Sequence, residues 1–411
     1  MPKRDKVQNK KDEHDRIAEI RVAGMRSIEL VVVRTDGLAV LLGENGSGKS
    51  TIVEACELLR KSPRPDFLDT FHRHHAGFNS LGSDALRLGV TIVGRGPALR
   101  YDFSLLHEGI HTVIESEELR VGSGKHARPV LVRTRSGAKI LSPERNRLVA
   151  YKGYAPEQFL LPLLVARDDA PYASFARTVR ALEGIEVHLP FEVLPYWSRK
   201  AYNRPSGMRG SAYVQPTDRV ELLGNDLANA FYQLKNARSP EHWRETLEYI
   251  KLGLGDEVED VSTEGDPGGG EIALNITFSG QRPEPATAMS DGMLAYLALI
   301  AVLRLENQRS LLVFDEPDLH LHPHLLRRVV DFFETTAKGQ PVLIATQSDQ
   351  FLDALANPSR SAHICRLDDQ RRTRLYRLDA SSLERWLKRY RGIGELRSEG
   401  YEDFVLGEEE S

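Results

Sequence analysis

The sequence predicts an α/β fold: a mixed sheet covered by helices, with an antiparallel β subdomain and a helical/β lid inserted into it. Three observations in the 411-residue chain predict it. First, the apolar run GLAVLLG enters a Gly-rich turn and leaves it as a helix, where Ile52, Val53, Cys56 and Leu59 recur at helical spacing. Second, the stretch from Ala85 to Leu141 alternates apolar and polar residues between Gly, Pro and Ser signals, as half-buried antiparallel strands do. Third, from Asp291 onward helical and strand-like segments take turns, the pattern of a parallel sheet covered by helices.

In chain order, residues 1–16 mix Lys, Arg, Asp and Glu without an apolar core. They read as a disordered tail rather than a secretory signal, with a nucleic-acid-binding arm as the sharper alternative. Residues 17–141 form a first lobe: strands RIAEIRVAG, SIELVVV and GLAVLLG, the Gly-rich turn and its helix, then the antiparallel subdomain, where RTRSGAKI reads as a hairpin. Residues 142–270 are expected to be the lid. It holds the helical ASFARTVRALEG and an amphipathic helix over DRVELLGNDLANAFYQLKN, with Val220, Leu223, Leu227, Phe231 and Leu234 on one face. In SPEHWRETLEYIKLG, Ser239 fits the N-cap and Pro240 the first helical position. Residues 271–400 form a second lobe, which closes the α/β alternation, and residues 401–411 an acidic tail.

Composition excludes several classes. The net charge of −4 implies no global attraction to nucleic acid. Cys56 and Cys365 each lie in an apolar run, as buried free thiols of a reducing cytosol would. No apolar run approaches the ~20 residues of a membrane span, and no sustained heptads mark a coiled coil.

Four sites converge on one chemistry. Gly43-Glu44-Asn45-Gly46-Ser47-Gly48-Lys49-Ser50-Thr51 matches G-x-x-x-x-G-K-[ST]. Its glycines let backbone N–H groups curl around phosphate oxygens, and the helix N-terminus adds a positive dipole end. Lys49 reaches the β/γ-phosphates and Ser50 ligates Mg²⁺. The strand LLVF ends in Asp315 and Glu316. In enzymes with such a loop the first carboxylate holds Mg²⁺ and a second can act as general base. Ser290-Asp291-Gly292 stands at a helix N-terminus, as an anion site or as a plain N-cap. Finally, the strand VLIAT ends in Gln347 and Ser348. It is expected beside the LLVF strand, with Gln347 facing the phosphates, or else capping the next helix with Ser348.

These residues resemble the ABC-type P-loop ATPases of the SMC and RecF kind. GENGSGKST is similar to their Walker A, MSDGM to their signature motif, and LLVFDEPDLHLHP to their Walker B and D-loop. Met25-Arg26-Ser27 is similar to an arginine-serine pair whose arginine approaches the nucleotide. Over about residues 16–400 the chain resembles the compact branch related to the ATPase half of OLD nucleases and to the ATPases of the Septu and PARIS anti-phage systems. Gln347 departs from the histidine of many relatives, and the segment around His72, His74 and His75 stands where a Q-loop is expected. Those histidines read as a loop near the nucleotide or, less simply, as a metal cluster.

The resemblance implies ATP and Mg²⁺ as ligands and a homodimer, or a higher oligomer, in which Ser290, Asp291 and Gly292 of one subunit complete the other's site. It implies slow hydrolysis working as a switch, as in AAA family and SMC/RecF-like ATPases, with an effector or nuclease acting in trans in antiviral defence. A RecF-like DNA-binding ATPase of repair or replication is the alternative, and a transporter ATPase the weakest reading. A cytoplasmic location is expected from the two cysteines in apolar runs and from an N-terminus that does not read as a secretory signal. Arg371, Arg372, Arg374, Arg385, Lys388 and Arg389, with Trp386 and Tyr390 between them, are either a DNA or RNA contact or a solvated face.

Overall fold

The computed structural model describes residues 14–74, 85–108, 111–167, 171–193, 207–265, 270–305, 308–388 and 392–409. The strands are β1 Arg16–Met25, β2 Ile28–Arg34, β3 Leu38–Leu42, β4 Ala85–Gly94, β5 Gly96–Glu108, β6 His111–Val121, β7 Arg128–Thr134, β8 Gly137–Ser142, β9 Arg147–Tyr151, β10 Ile185–His188, β11 Ala212–Tyr213, β12 Val258–Gly265, β13 Glu271–Phe278, β14 Glu284–Pro285, β15 Leu311–Asp315, β16 Val342–Thr346, β17 Ala362–Leu367, β18 Thr373–Leu378 and β19 Leu406–Glu409. The helices are α1 Lys49–Lys61, α2 Phe67–His74, α3 Leu160–Ala166, α4 Ala173–Glu183, α5 Leu227–Asn236, α6 Pro240–Leu254, α7 Asp291–Arg304, α8 Pro323–Thr336, α9 Asp349–Ala354, α10 Pro358–Ser361, α11 Ala380–Leu387 and α12 Ile393–Ser398.

The central sheet runs β10-β15-β16-β3-β17-β18-β19. Its strands are parallel from β10 to β17 and antiparallel at β18 and β19. Leu311 and Val313 of β15 enter the core shared with α1, while Leu312 and Phe314 enter the opposite core with α7 and α8. Burial on both faces explains why LLVF and VLIA are apolar without a break. A second, antiparallel sheet runs β2-β1-β4-β5-β6-β7-β8-β9, and the expected hairpin pairs Thr134 with Gly137. A small third sheet holds β11 to β14 and packs on α5 and α6. Ser239 caps α6 as expected, accepting from the His242 amide at 3.2 Å. Cys56 and Cys365 are buried, and no disulfide joins them.

Three expectations need correction. Residues 142–270 are not a lid apart from the core. β9 completes the antiparallel sheet, and β10 is the edge strand of the central sheet beside β15. β10 reads IEVH, too short and too polar to be recognised as a core strand. Its charge is matched by one distant residue and one neighbour: Arg309 Nε donates to Glu186 at 2.8 Å, and the His188 Nε2 of the same strand lies 2.9 Å from that carboxylate. The helix expected from Asp218 starts only at Leu227. Gly224 turns at φ 81°, and the Asp226 carboxylate accepts from the Glu221 amide and the Thr217 hydroxyl, which fixes a loop. The tails are shorter than expected. Arg16 opens β1, Asp15 pairs with Arg177, and Leu406–Glu409 is a strand on β18. Among the described residues no helix is long and apolar enough to cross a membrane.

Candidate functional site

β3 delivers the chain into the Gly-rich loop. A Cβ on Gly43 would stand 2.3 Å from the Cys365 carbonyl of β17, so only glycine fits there. Gly46 and Gly48 take φ values of 81° and 99°, which lets the loop curl before α1 starts at Lys49. Lys49 is buried, and its ammonium donates to the carbonyls of Gly43 and Glu44 at 2.8 and 2.9 Å. Burial lowers its proton affinity, while Glu316 and Asp315 act in the opposite direction.

The carboxylates stand across from this loop. Ser50 Oγ donates to Asp315 Oδ1 at 3.3 Å. Burial raises the Asp315 pKa against the pull of Ser50 and Lys49. Glu316 leaves the strand at φ 47°, in the left-handed region, held by its amide on the Ala345 carbonyl at 2.7 Å. Burial, then Asp315, then Asp318 raise its pKa. Asp318 itself accepts from the Thr346 hydroxyl at 2.8 Å. Thus β16 lies beside β15, as expected, and its end is tied to the Walker B segment.

A cavity of about 630 Å³ opens between these groups. It is lined by Asn45, Gly46, Gly48, Lys49, Ser50 and Thr51 of the phosphate loop and α1, by Glu316, by Arg26 and Ser27 of the β1–β2 turn, and by Leu367, Gln370 and Arg371 around the β17–β18 turn. The loop amides and the α1 N-terminus suit phosphates, and the two hard oxygen donors, Ser50 and Asp315, suit Mg²⁺. Arg26 sits at φ 51° at the tip of the β1–β2 turn and pairs with Glu54 at 2.5 Å. Ser47 is buried, and its hydroxyl has no hydrogen-bond partner among the described residues.

Other predicted residues lie elsewhere. Ser290 caps α7, accepting from the Met293 amide at 3.2 Å. Asp291 pairs with Arg209 at 2.6 Å, and a Cβ on Gly292 would stand 2.9 Å from the His320 carbonyl. Ser290, Asp291 and Gly292 do not line the cavity. Buried Arg209 also donates to the carbonyls of Val193, Ala286 and Met289, so it ties down the whole signature loop. The sequence gives no warning of it, because it lies in no motif. Gln347 is exposed and stands apart from the cavity. The capping alternative fails for it: Ser348 alone caps α9, through the Phe351 amide at 3.2 Å.

Two members of the basic cluster, Arg372 and Arg374, and Arg366 opposite Arg374 are paired with carboxylates. Arg366 pairs with Glu402 and Asp403, Arg372 with Glu29 at 2.6 Å, and Arg374 with Asp368 and Glu409. Arg371 lines the cavity, Arg385 and Lys388 are exposed at α11, and Arg389 and Tyr390 lie outside the described residues. On α11 Leu383 is buried and Leu387 is exposed. The His72 ring stacks on His111, while the His74 side chain and His75 lie outside the described residues. Among the described residues no group of His, Cys, Asp and Glu could hold a metal ion.

The family model AAA_21, "AAA domain, putative AbiEii toxin, Type IV TA system", matches residues 38–353. Among curated proteins no sequence relative matches. Solved structures do resemble the chain. An SMC head bound to the C-winged helix domain of ScpA is 15% identical with a TM-score of 0.53, over 89% of this chain and 99% of that one. The SMC head domain from Thermotoga maritima is 12% identical with a TM-score of 0.40, over 89% and 100%. An Smc head with an extended coiled coil, bound to the C-terminal domain of ScpA derived from Pyrococcus furiosus, is 13% identical with a TM-score of 0.47, over 92% and 100%. The family match spans more than half of the chain and the ABC-type P-loop fold agrees with it: the chain belongs to this AAA ATPase family.

Proposed function

We propose that this chain binds ATP and hydrolyses it slowly in a sandwiched homodimer, whose closing and opening is the functional output. One observation carries the reading. Lys49, Ser50 and Glu316 line one cavity with Asp315 beside them, whereas Ser290, Asp291 and Gly292 lie outside it. A chain whose signature residues do not line its own cavity can obtain a signature from a second copy.

The residues divide the work. The loop amides and Lys49 hold the phosphates, and Lys49 exchanges the Gly43 and Glu44 carbonyls for phosphate oxygens. Ser50 and Asp315 hold Mg²⁺, which neutralises phosphate charge when bound. Glu316 takes a proton from the attacking water. Gln347, free of a capping duty, orients that water once the dimer closes. Arg26 exchanges Glu54 for the nucleotide. Loss of the γ-phosphate removes the anchor between subunits, so the dimer opens.

The family description, with its toxin and type IV toxin–antitoxin system, supports a defence role in which the switch controls an effector or nuclease in trans. The pairing of Arg366, Arg372 and Arg374 with carboxylates weighs against the RecF-like alternative. The test is Glu316→Gln: ATP binding persists, turnover falls at least ~100-fold, and ATP shifts the variant to a dimer on a sizing column. Unchanged turnover overturns the reading.

A further inference from the structure

The nucleotide cavity has a second wall of different chemistry. The turn between β17 and β18 contributes Leu367, Gln370 and Arg371 to it. That turn is held by its own hydrogen bonds. The Asp368 carbonyl accepts from the Arg371 amide at 2.8 Å, and its carboxylate accepts from the amides of Gln370 and Arg372 at 2.9 and 2.8 Å. Arg371 is held at φ 59°, a conformation that favours glycine. Among the described residues, no hydrogen bond or ion pair engages its guanidinium, whereas Arg366, Arg372 and Arg374 around it are each tied to carboxylates. The start of β18 is also fastened to the β1–β2 turn and packed against the phosphate loop. The Thr373 amide donates to the Ser27 carbonyl at 2.8 Å, and a Cβ on Gly48 would stand 2.3 Å from Thr373 Oγ1.

We propose that the β17–β18 turn is the base-recognition wall of the site, where the Arg371 guanidinium stacks on a purine base and the Gln370 amide pairs with its polar edge. The proposal rests on the nucleotide reading above. With the triphosphate held at Lys49 and the α1 N-terminus, the nucleoside occupies the rest of the cavity, where these residues stand. A planar, weakly hydrated guanidinium stacks on ring faces. An amide carries both a donor and an acceptor and so distinguishes one purine edge from another. Strain held at a ligand-facing position is a mark of preorganisation.

The experiment is equilibrium binding of ATP, GTP, CTP and inorganic tripolyphosphate to the full chain. The variants are Arg371→Gly, Arg371→Lys, Gln370→Ala and Lys49→Ala. Glycine suits the positive φ, so Arg371→Gly removes the guanidinium without straining the turn. Arg371→Gly and Arg371→Lys are each expected to weaken ATP about tenfold and to leave tripolyphosphate unchanged, because a lysine keeps the charge but loses the plane. Gln370→Ala narrows the gap between ATP and GTP. Wild-type ATP affinity in Arg371→Gly or Arg371→Lys, or an equal loss for tripolyphosphate, overturns the base wall. If the wild type binds neither nucleotide nor tripolyphosphate and Lys49→Ala changes nothing, the nucleotide reading itself falls, and this proposal with it.

Discussion

The Ser50 hydroxyl donates to Asp315 across 3.3 Å, joining the first turn of α1 to the end of β15. A pair of oxygens at this place is the natural seat of a divalent ion. Asp315→Ala is expected to keep ATP binding within about tenfold and to lose its stimulation by Mg²⁺, with turnover down by at least ~100-fold. Titrating ATP with and without chelator measures both. Mg²⁺-stimulated binding that survives the substitution removes Asp315 from the metal site.

Glu316 works as a base only when ionised. In the nucleotide-free protein burial, then Asp315, then Asp318 raise its pKa above the ordinary 4.5. The folded state holds a proton that the unfolded chain has lost, so stability declines as pH rises from the ordinary value through the folded one. Glu316→Gln therefore raises the melting temperature of the nucleotide-free protein at pH 7, and the gain fades in acid. Calorimetry at two pH values decides it, and a lower melting temperature at neutral pH contradicts it.

Trans complementation tests the sandwich. Ser290→Arg crowds the opposing phosphate, and Lys49→Ala removes the phosphate clamp. Each variant alone is expected to be inactive. Mixed, they assemble some heterodimers with one intact site and recover part of the wild-type rate. A mixture as inactive as its components counts against signature supply from a second subunit.

Gln347 emerges from β16 one strand away from Glu316 and is exposed in the single chain. Gln347→Ala should lower turnover tenfold or more, ~1.4 kcal/mol in barrier, without changing helicity, since Ser348 supplies the α9 cap. Near-normal turnover would leave Gln347 without a catalytic role.

The charge cluster on β10 tests the architecture rather than the chemistry. Burial opposes ionisation of Glu186, but Arg309 and His188 hold its pKa well below the usual range. Arg309→Met strands that charge and is expected to cost about 3–5 kcal/mol, while adding Glu186→Gln restores much of the loss. Urea unfolding of the two variants is the measurement. Equal stability of both would show that the pair is not coupled.

The parts readable in the sequence carry local rules. Gly46 and Gly48 announce a turn that needs positive φ, Ser239 and Pro240 announce a helix start, and LLVF announces a strand buried on both faces. The misread parts depend on distant partners. β10 is a core strand only because Arg309 neutralises Glu186, and β19 pairs with β18 although its acidic sequence reads as a tail. The helix expected from Asp218 fails because the carboxylate of Asp226 turns back on the preceding loop. Arg209 escaped notice because its role lies in carbonyls far along the chain.

The order of strands also governs when the site can exist during synthesis. β3, which launches the phosphate loop, has β16 and β17 as its two neighbours. A nascent chain that has not yet reached Val342 offers β3 neither neighbour. Gly48, likewise, has no Thr373 to rest against until β18 has emerged. Pairings of such long sequence separation form late and slowly. The phosphate loop therefore lacks its flanking strands and its Thr373 rest until β18 has left the ribosome.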